Sequence, residues 1–318
     1  MLSKLSASLA VAALVVTVGA AAAAPTEALV QGVAHDALFT INFDGDTGIV
    51  GGAPGRVLST SDGGATWVPD KNFPSPLAVL GADVRGARAI AVGQMGTIFV
   101  RDDKNAWKKS DSGTTERLMN VSLNSKGQAV TVGSFGTVLE STDGGASWHS
   151  MAPDWKPYLT SDQADQGIQP HMSAVHVGED GAITIAGEFS LILRSADHGK
   201  TWKQLYKNSA SIFALELRGD GAGYAVGQDG FMVRTADGGK TWTPLAGAGK
   251  AILLGVRSDG AKVVVAGMHD MLASSDDGKT FHHVQSEDVQ SAWYSGVGVA
   301  RGVFYGVGHS GRIVRINQ

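Results

Sequence analysis

Five aspartates sit in one recurring local setting. Asp62, Asp143, Asp197, Asp237 and Asp276 each follow a serine or threonine by two residues and precede a glycine by two. A second serine or threonine stands four residues on, and then an aromatic: Trp67, Trp148, Trp202, Trp242 or Phe281. Aspartate and serine or threonine side chains at this spacing can accept from turn amides, the glycine takes backbone that other residues resist, and the aromatic packs beneath a blade. That is the chemistry of a turn lock, not of catalysis. Other chemistry-bearing strings fail on context. Gly306-Val307-Gly308-His309-Ser310-Gly311 spells a dinucleotide fingerprint, but no helical pattern follows it. Gly-Lys-Thr at 199–201, 239–241 and 278–280 is preceded at the fifth position by Arg194, Arg234 and Ala273 instead of the glycine of a phosphate loop. Neither H-E-x-x-H nor D-x-D-x-D-G occurs, and the adjacent His282 and His283 would point to opposite faces of a strand. With no cysteine in the chain, disulfides, thiolate metal sites and a cysteine nucleophile are excluded. No metal and no cofactor is expected.

These locks recur because the whole unit around them recurs. Register glycines Gly52, Gly93, Gly133, Gly187, Gly227, Gly267 and Gly308 are spaced by 41, 40, 54, 40, 40 and 41 residues. A second unit keeps Asp102 and Trp107 but carries Lys104 where the glycine belongs. Each unit reads as four short strands broken by Gly or Asp-Gly turns. In the fifth these are Ser211–Leu217, Gly223–Gly227, Phe231–Thr235 and Thr241–Leu245. No helical period is expected after the leader. Four strands every ~40 residues is the pattern of a propeller blade. The seventh unit stops at Gln318, where the others begin a fourth strand, and the spare strand-like segment is 28–34. The expectation is an all-β, seven-bladed propeller of four-stranded antiparallel blades, with the N-terminal strand completing the last blade and leaving no open seam.

Residues 1–24 read as a cleaved signal peptide, with Lys4 as the positive region, Leu9 to Gly19 as the apolar region and Ala20–Ala24 offering cleavage sites before Pro25. No later stretch reaches the ~18 uninterrupted apolar residues of a spanning helix. Residues 25–318 are then one exported propeller, periplasmic if the cell is Gram-negative, and expected to be a monomer. A net charge of −4 without a basic run argues against nucleic-acid binding.

The five locks resemble the Asp-box, or bacterial neuraminidase repeat, shared by sialidases, two-propeller xyloglucanases and sortilin-type receptors. The fuller unit, xAVGxxGxxxxSxDGGxxW repeated at 40 over residues 28–318, resembles the Ycf48-like photosystem II assembly and stability factors. That resemblance implies a non-catalytic scaffold that binds protein partners during assembly of a membrane complex. The chain lacks a lipobox cysteine, and no arginine cluster matches the basic patch of that family. A sialidase-like glycoside hydrolase needs a carboxylate-clamping arginine set, a Tyr–Glu nucleophile pair and an early Arg-Ile-Pro segment. Only Arg312-Ile313-Val314 comes near, and the tyrosines are five: Tyr158, Tyr206, Tyr224, Tyr294 and Tyr305. A glycan or small-ligand site, or a hydrolase using Glu188, is the alternative reading.

Because strands alternate in direction, the second-to-third strand turns and the blade-to-blade connections share one face. The third gap carries 14 extra residues in 151–170, with Trp155 and Tyr158. Met95, Phe135, Glu188, Phe189, Met268, His269 and His309 fall at turns on that face, and Trp293 and Tyr294 open the last blade beside them. These eleven residues form the expected binding rim, partly apolar and aromatic.

Overall fold

The computed structural model describes residues 24–102, 106–246 and 249–317; the leader up to residue 23 and Lys104 lie outside the described residues. It forms seven four-stranded antiparallel sheets, each built from consecutive strands except the last. The last sheet takes its outer strand, Thr26–Val30, from the beginning of the chain, paired with Ile313–Ile316. The closure expected from the repeat is therefore present, shifted two to four residues toward the N-terminus. Residues 31–36 instead form the connection to the first blade, where Gly32 donates to the Ser310 carbonyl at 2.9 Å.

The apolar cores lie between blades, not within them. One joins Val130, Val132 and Val138 of the third blade to Val175, Ile183 and Ile185 of the fourth. Another joins Tyr305, Val307 and Ile313 of the last blade to Leu38, Ile41 and Val50 of the first. Second strands such as Ala129–Gly133 and Gly223–Gly227 are buried along their whole length, sandwiched by neighbours on both faces. Each register glycine ends such a strand under a carbonyl of the preceding connection. A Cβ at Gly133 would stand 2.1 Å from the Arg117 oxygen, and at Gly227 1.9 Å from the Ser211 oxygen, so nothing larger fits.

The turn locks form as their spacing requires. In the third blade Ser141 Oγ donates to Asp143 Oδ1 at 2.7 Å and accepts the Gly145 amide at 2.8 Å. The second oxygen of Asp143 takes the Ser147 hydroxyl at 2.6 Å. Such bonds hold the carboxyls of Asp62, Asp143, Asp237 and Asp276 well below the usual range, and that of Asp197 to about 2. The aromatics of the locks plug the outer ends of the cores: Trp242 is buried, while Trp67, Trp148, Trp202 and Phe281 are half-buried against neighbouring clusters.

Contrary to the expectation of no helix, two single α-turns occur, Ser161–Asp165 and Glu287–Ser291, both in blade-to-blade connections. The first is started by a capping box, Thr160 with Gln163, too short to register as a period.

Candidate functional site

Every inner strand carries a bulge one residue after the position paired with its register glycine. The unpaired residues are Phe39, Leu80, Met119, Ser173, Phe213, Leu254 and Ser295, and all seven line the central channel. Five large apolar side chains thus ring the channel mouth, on the face of the second-to-third strand turns. Phe39 stacks on Trp293 at 6.1 Å, extending the ring outward.

Deeper in, the equivalent position of each inner strand holds Asn42, Asp83, Ser122, His176, Glu216, Arg257 and Gly298. This belt stitches blade to blade. Asn42 donates to the Ala82 carbonyl at 2.6 Å, Asp83 accepts the Leu123 amide at 2.8 Å, Ser122 accepts the Val177 amide at 3.0 Å, and Glu216 accepts the Ser258 amide at 3.0 Å. Arg257 reaches past Gly298 to Asn42 Oδ1 at 2.5 Å. Burial raises the carboxyls of Asp83 and Glu216. The imidazole of His176 is pushed down to about 4, mainly by burial and then by Arg85, Arg257 and Arg194. The channel is therefore apolar at one mouth and polar and charged below it.

Around the mouth stand the turn tips. Met95, Phe135, Phe189, Asp229, His269 and Ser310 all occupy left-handed backbone, with φ between 49° and 58°. A methionine or phenylalanine there is strained, and no side-chain bond to the local backbone offsets the strain as it does for Asn or Asp. Among the described residues six large hydrophobic side chains are exposed; Met95, Phe135, Met268, Ile252 and Val33 lie on this face and Val68 lies elsewhere.

Of the expected rim, Met95, Phe135, Met268 and His269 are exposed, while Tyr158, Glu188, Phe189, Trp293 and His309 are half-buried. Two placements need correction. Trp155 is 7% exposed, because the extra loop folds back and seats its indole in the core between the third and fourth blades, directly under Gly136. Tyr294 is fully buried, its hydroxyl bonded to Asp288 and its ring edge-on to His309 at 5.5 Å. Tyr158 also has a structural partner, donating to the Trp202 carbonyl at 2.9 Å. Sequence reasoning missed the mouth ring, although each member stands 13 or 14 residues before its register glycine. Aligning the inner strands would have found it. It also missed Ile252 and Val33, which lie in connections without a repeat.

Tyr158, Tyr224, Tyr294 and Tyr305 donate to Trp202 O, Asp277, Asp288 and Gly63 O, none of them a glutamate. The fingerprint string at 306–311 joins two strands, Val303–Gly308 and Ile313–Ile316. Among the described residues no cluster of three potential metal ligands occurs.

Comparison with known proteins places this geometry. A family model described as photosynthesis system II assembly factor YCF48 matches residues 99–211. Among solved structures, YCF48 bound to D1 peptide aligns over 92% of this chain and 97% of its own, with TM-score 0.69 and 17% identity. YCF48 from Cyanidioschyzon merolae aligns over 92% and 99%, with TM-score 0.68 and 17% identity. The WD40 repeats of RRP9 superpose as well, with TM-score 0.71 over 93% and 98%, at 10% identity. Shape alone therefore shows the propeller. No curated protein matches the sequence. The resemblance read from the repeats is thus carried by the YCF48 family model over residues 99–211 and by the seven-bladed fold that the described chain shares with YCF48 structures.

Proposed function

We propose that the chain is an exported, non-catalytic scaffold that docks a protein segment across the channel mouth, as an assembly or stability factor for a membrane protein complex. The observation that carries this is the gathering of exposed apolar side chains on one face around an apolar ring, two of them, Met95 and Phe135, held in strained turns. A face of that kind costs stability and solubility unless a partner covers it. The D1 peptide bound by a YCF48 of the same fold supports a protein segment as the occupant. Among the described residues no helix is long and apolar enough to cross a membrane. The partner then brings the membrane, and the leader brings the chain to the periplasm in a Gram-negative cell. Crosslinking of the tagged chain in its own cell, followed by mass spectrometry, tests the proposal. A membrane complex recovered with the native chain and lost with the Phe135→Ser/Phe189→Ser variant supports it. Equal recovery from both, with both folded, contradicts it.

A further inference from the structure

Between the turn tips of the third and fourth blades the rim holds an open pocket of about 410 Å³, walled by Phe135, Phe189, Ile168, His171 and Glu188. Its size suits a single side chain or small ligand group. The walls are held from several directions. The Phe135 ring packs against that of His171 at 4.8 Å, tilted by 59°, and the Phe135 amide donates to His171 Nδ1 at 3.3 Å, which fixes the imidazole. Glu188 Oε2 accepts the His171 amide at 2.9 Å.

That last bond does not need a charge. At the equivalent turn of the second blade the same service, closing the connection onto the turn, is done by a neutral amide: Gln94 Oε1 accepts the Ala78 amide at 3.1 Å. In the fourth blade a full negative charge stands there, at the edge of an aromatic pocket, and among the described residues it has no ion-pair partner. An apolar group seated between the two phenylalanines would strip water from that carboxylate without compensation, at substantial cost. A cation would satisfy it, and would also meet the negative faces of the rings.

We propose that this pocket receives a lysine or arginine side chain of the docked segment, its stem between Phe135 and Phe189 and its head against Glu188. The proposal rests on the docking face described above and names what one part of it selects. It is tested without the partner by following backbone resonances of the full chain while titrating acetyl-arginine amide, acetyl-citrulline amide and acetyl-norleucine amide. The arginine probe is expected to give saturable shifts at residues 135, 171 and 188–190, and the uncharged probes to bind at least about fivefold more weakly. Glu188→Gln keeps the bond to the His171 amide and so the turn; it is expected to bring arginine down to the level of citrulline, with thermal stability unchanged. Equal binding of citrulline or norleucine, full arginine affinity in Glu188→Gln, or no saturable shift with any probe overturns the proposal. Failure here with the crosslinked partner still recovered removes only the cation pocket. A bound arginine probe with no partner recovered removes only the docking reading.

Discussion

Met95 stands 63% exposed at the tip of its turn with φ +56°, where a glycine would sit without strain. The left-handed backbone costs an ordinary residue about 1–2 kcal/mol, and a glycine gives back about 0.5–1 of that through the freedom it adds to the unfolded chain. Met95→Gly is therefore expected to hold or raise stability, by up to about 1 kcal/mol in thermal unfolding, while weakening partner recovery. A drop in stability would mean that the side chain is kept for packing. The turn-lock residues show the opposite balance, since every polar atom of Ser141, Asp143 and Ser147 named above has a partner. That is why the locks were legible in the sequence as side chains accepting from turn amides, although the hydroxyl bonds to each aspartate were not. The fates of Trp155 and Tyr294 were not, because whether an aromatic in a connection faces solvent or core depends on how a non-repeating loop folds back.

The inner strands do two jobs at once, lining the channel and stitching blades together. His176 differs from the rest of the belt, because burial and three arginines hold it neutral. Its folded value, about 4, lies below the 6.5 of an unfolded histidine, so between those limits the unfolded chain binds more protons. Stability should then fall as pH drops from about 6.5 toward 4, by up to about 3 kcal/mol from this group. Asp83 and Glu216, raised by burial, act in the opposite direction, so the clean comparison is with His176→Gln. Unfolding midpoints of that variant should change less between pH 7 and pH 5 than those of the native chain. Identical slopes would show that the imidazole is free to protonate in the channel. Below pH 4 the turn-lock carboxyls take over: their values are depressed in the fold, so the stability they contribute is lost as pH falls through those depressed values. The strand pattern that builds this belt was readable from period and turns. The one-residue bulge that turns Phe39, Leu80 and their counterparts into the mouth was not, since a bulge leaves the alternation on either side intact.

At the scale of the whole molecule the ring is closed by one short strand. Thr26–Val30 covers the edge of Ile313–Ile316, and its Leu29 and Val30 pack on the core shared by the last and first blades. Removing residues 1–30 should expose that edge, lower the unfolding temperature and promote association. Fusing the same segment after Gln318 should restore both properties. If the shortened chain were as stable as the native one and associated no more than it does, the strand would be dispensable for closure. Blade number and closure were legible because the seven units recur at 40 or 41 residues apart from one insertion, and the missing fourth strand of the seventh had a single place to come from. The docking face was legible only in part, because Val33 and Ile252 lie where the repeat breaks down. Occupation of this face by a protein segment is read out by a photoreactive amino acid placed at Met95 or at Met268, and for comparison at Thr66 or Ser147 among the turn locks of the opposite face. One membrane-complex subunit is expected to crosslink from the first two positions and not from the second two. Crosslinks to that subunit from the turn-lock face alone would contradict that occupation.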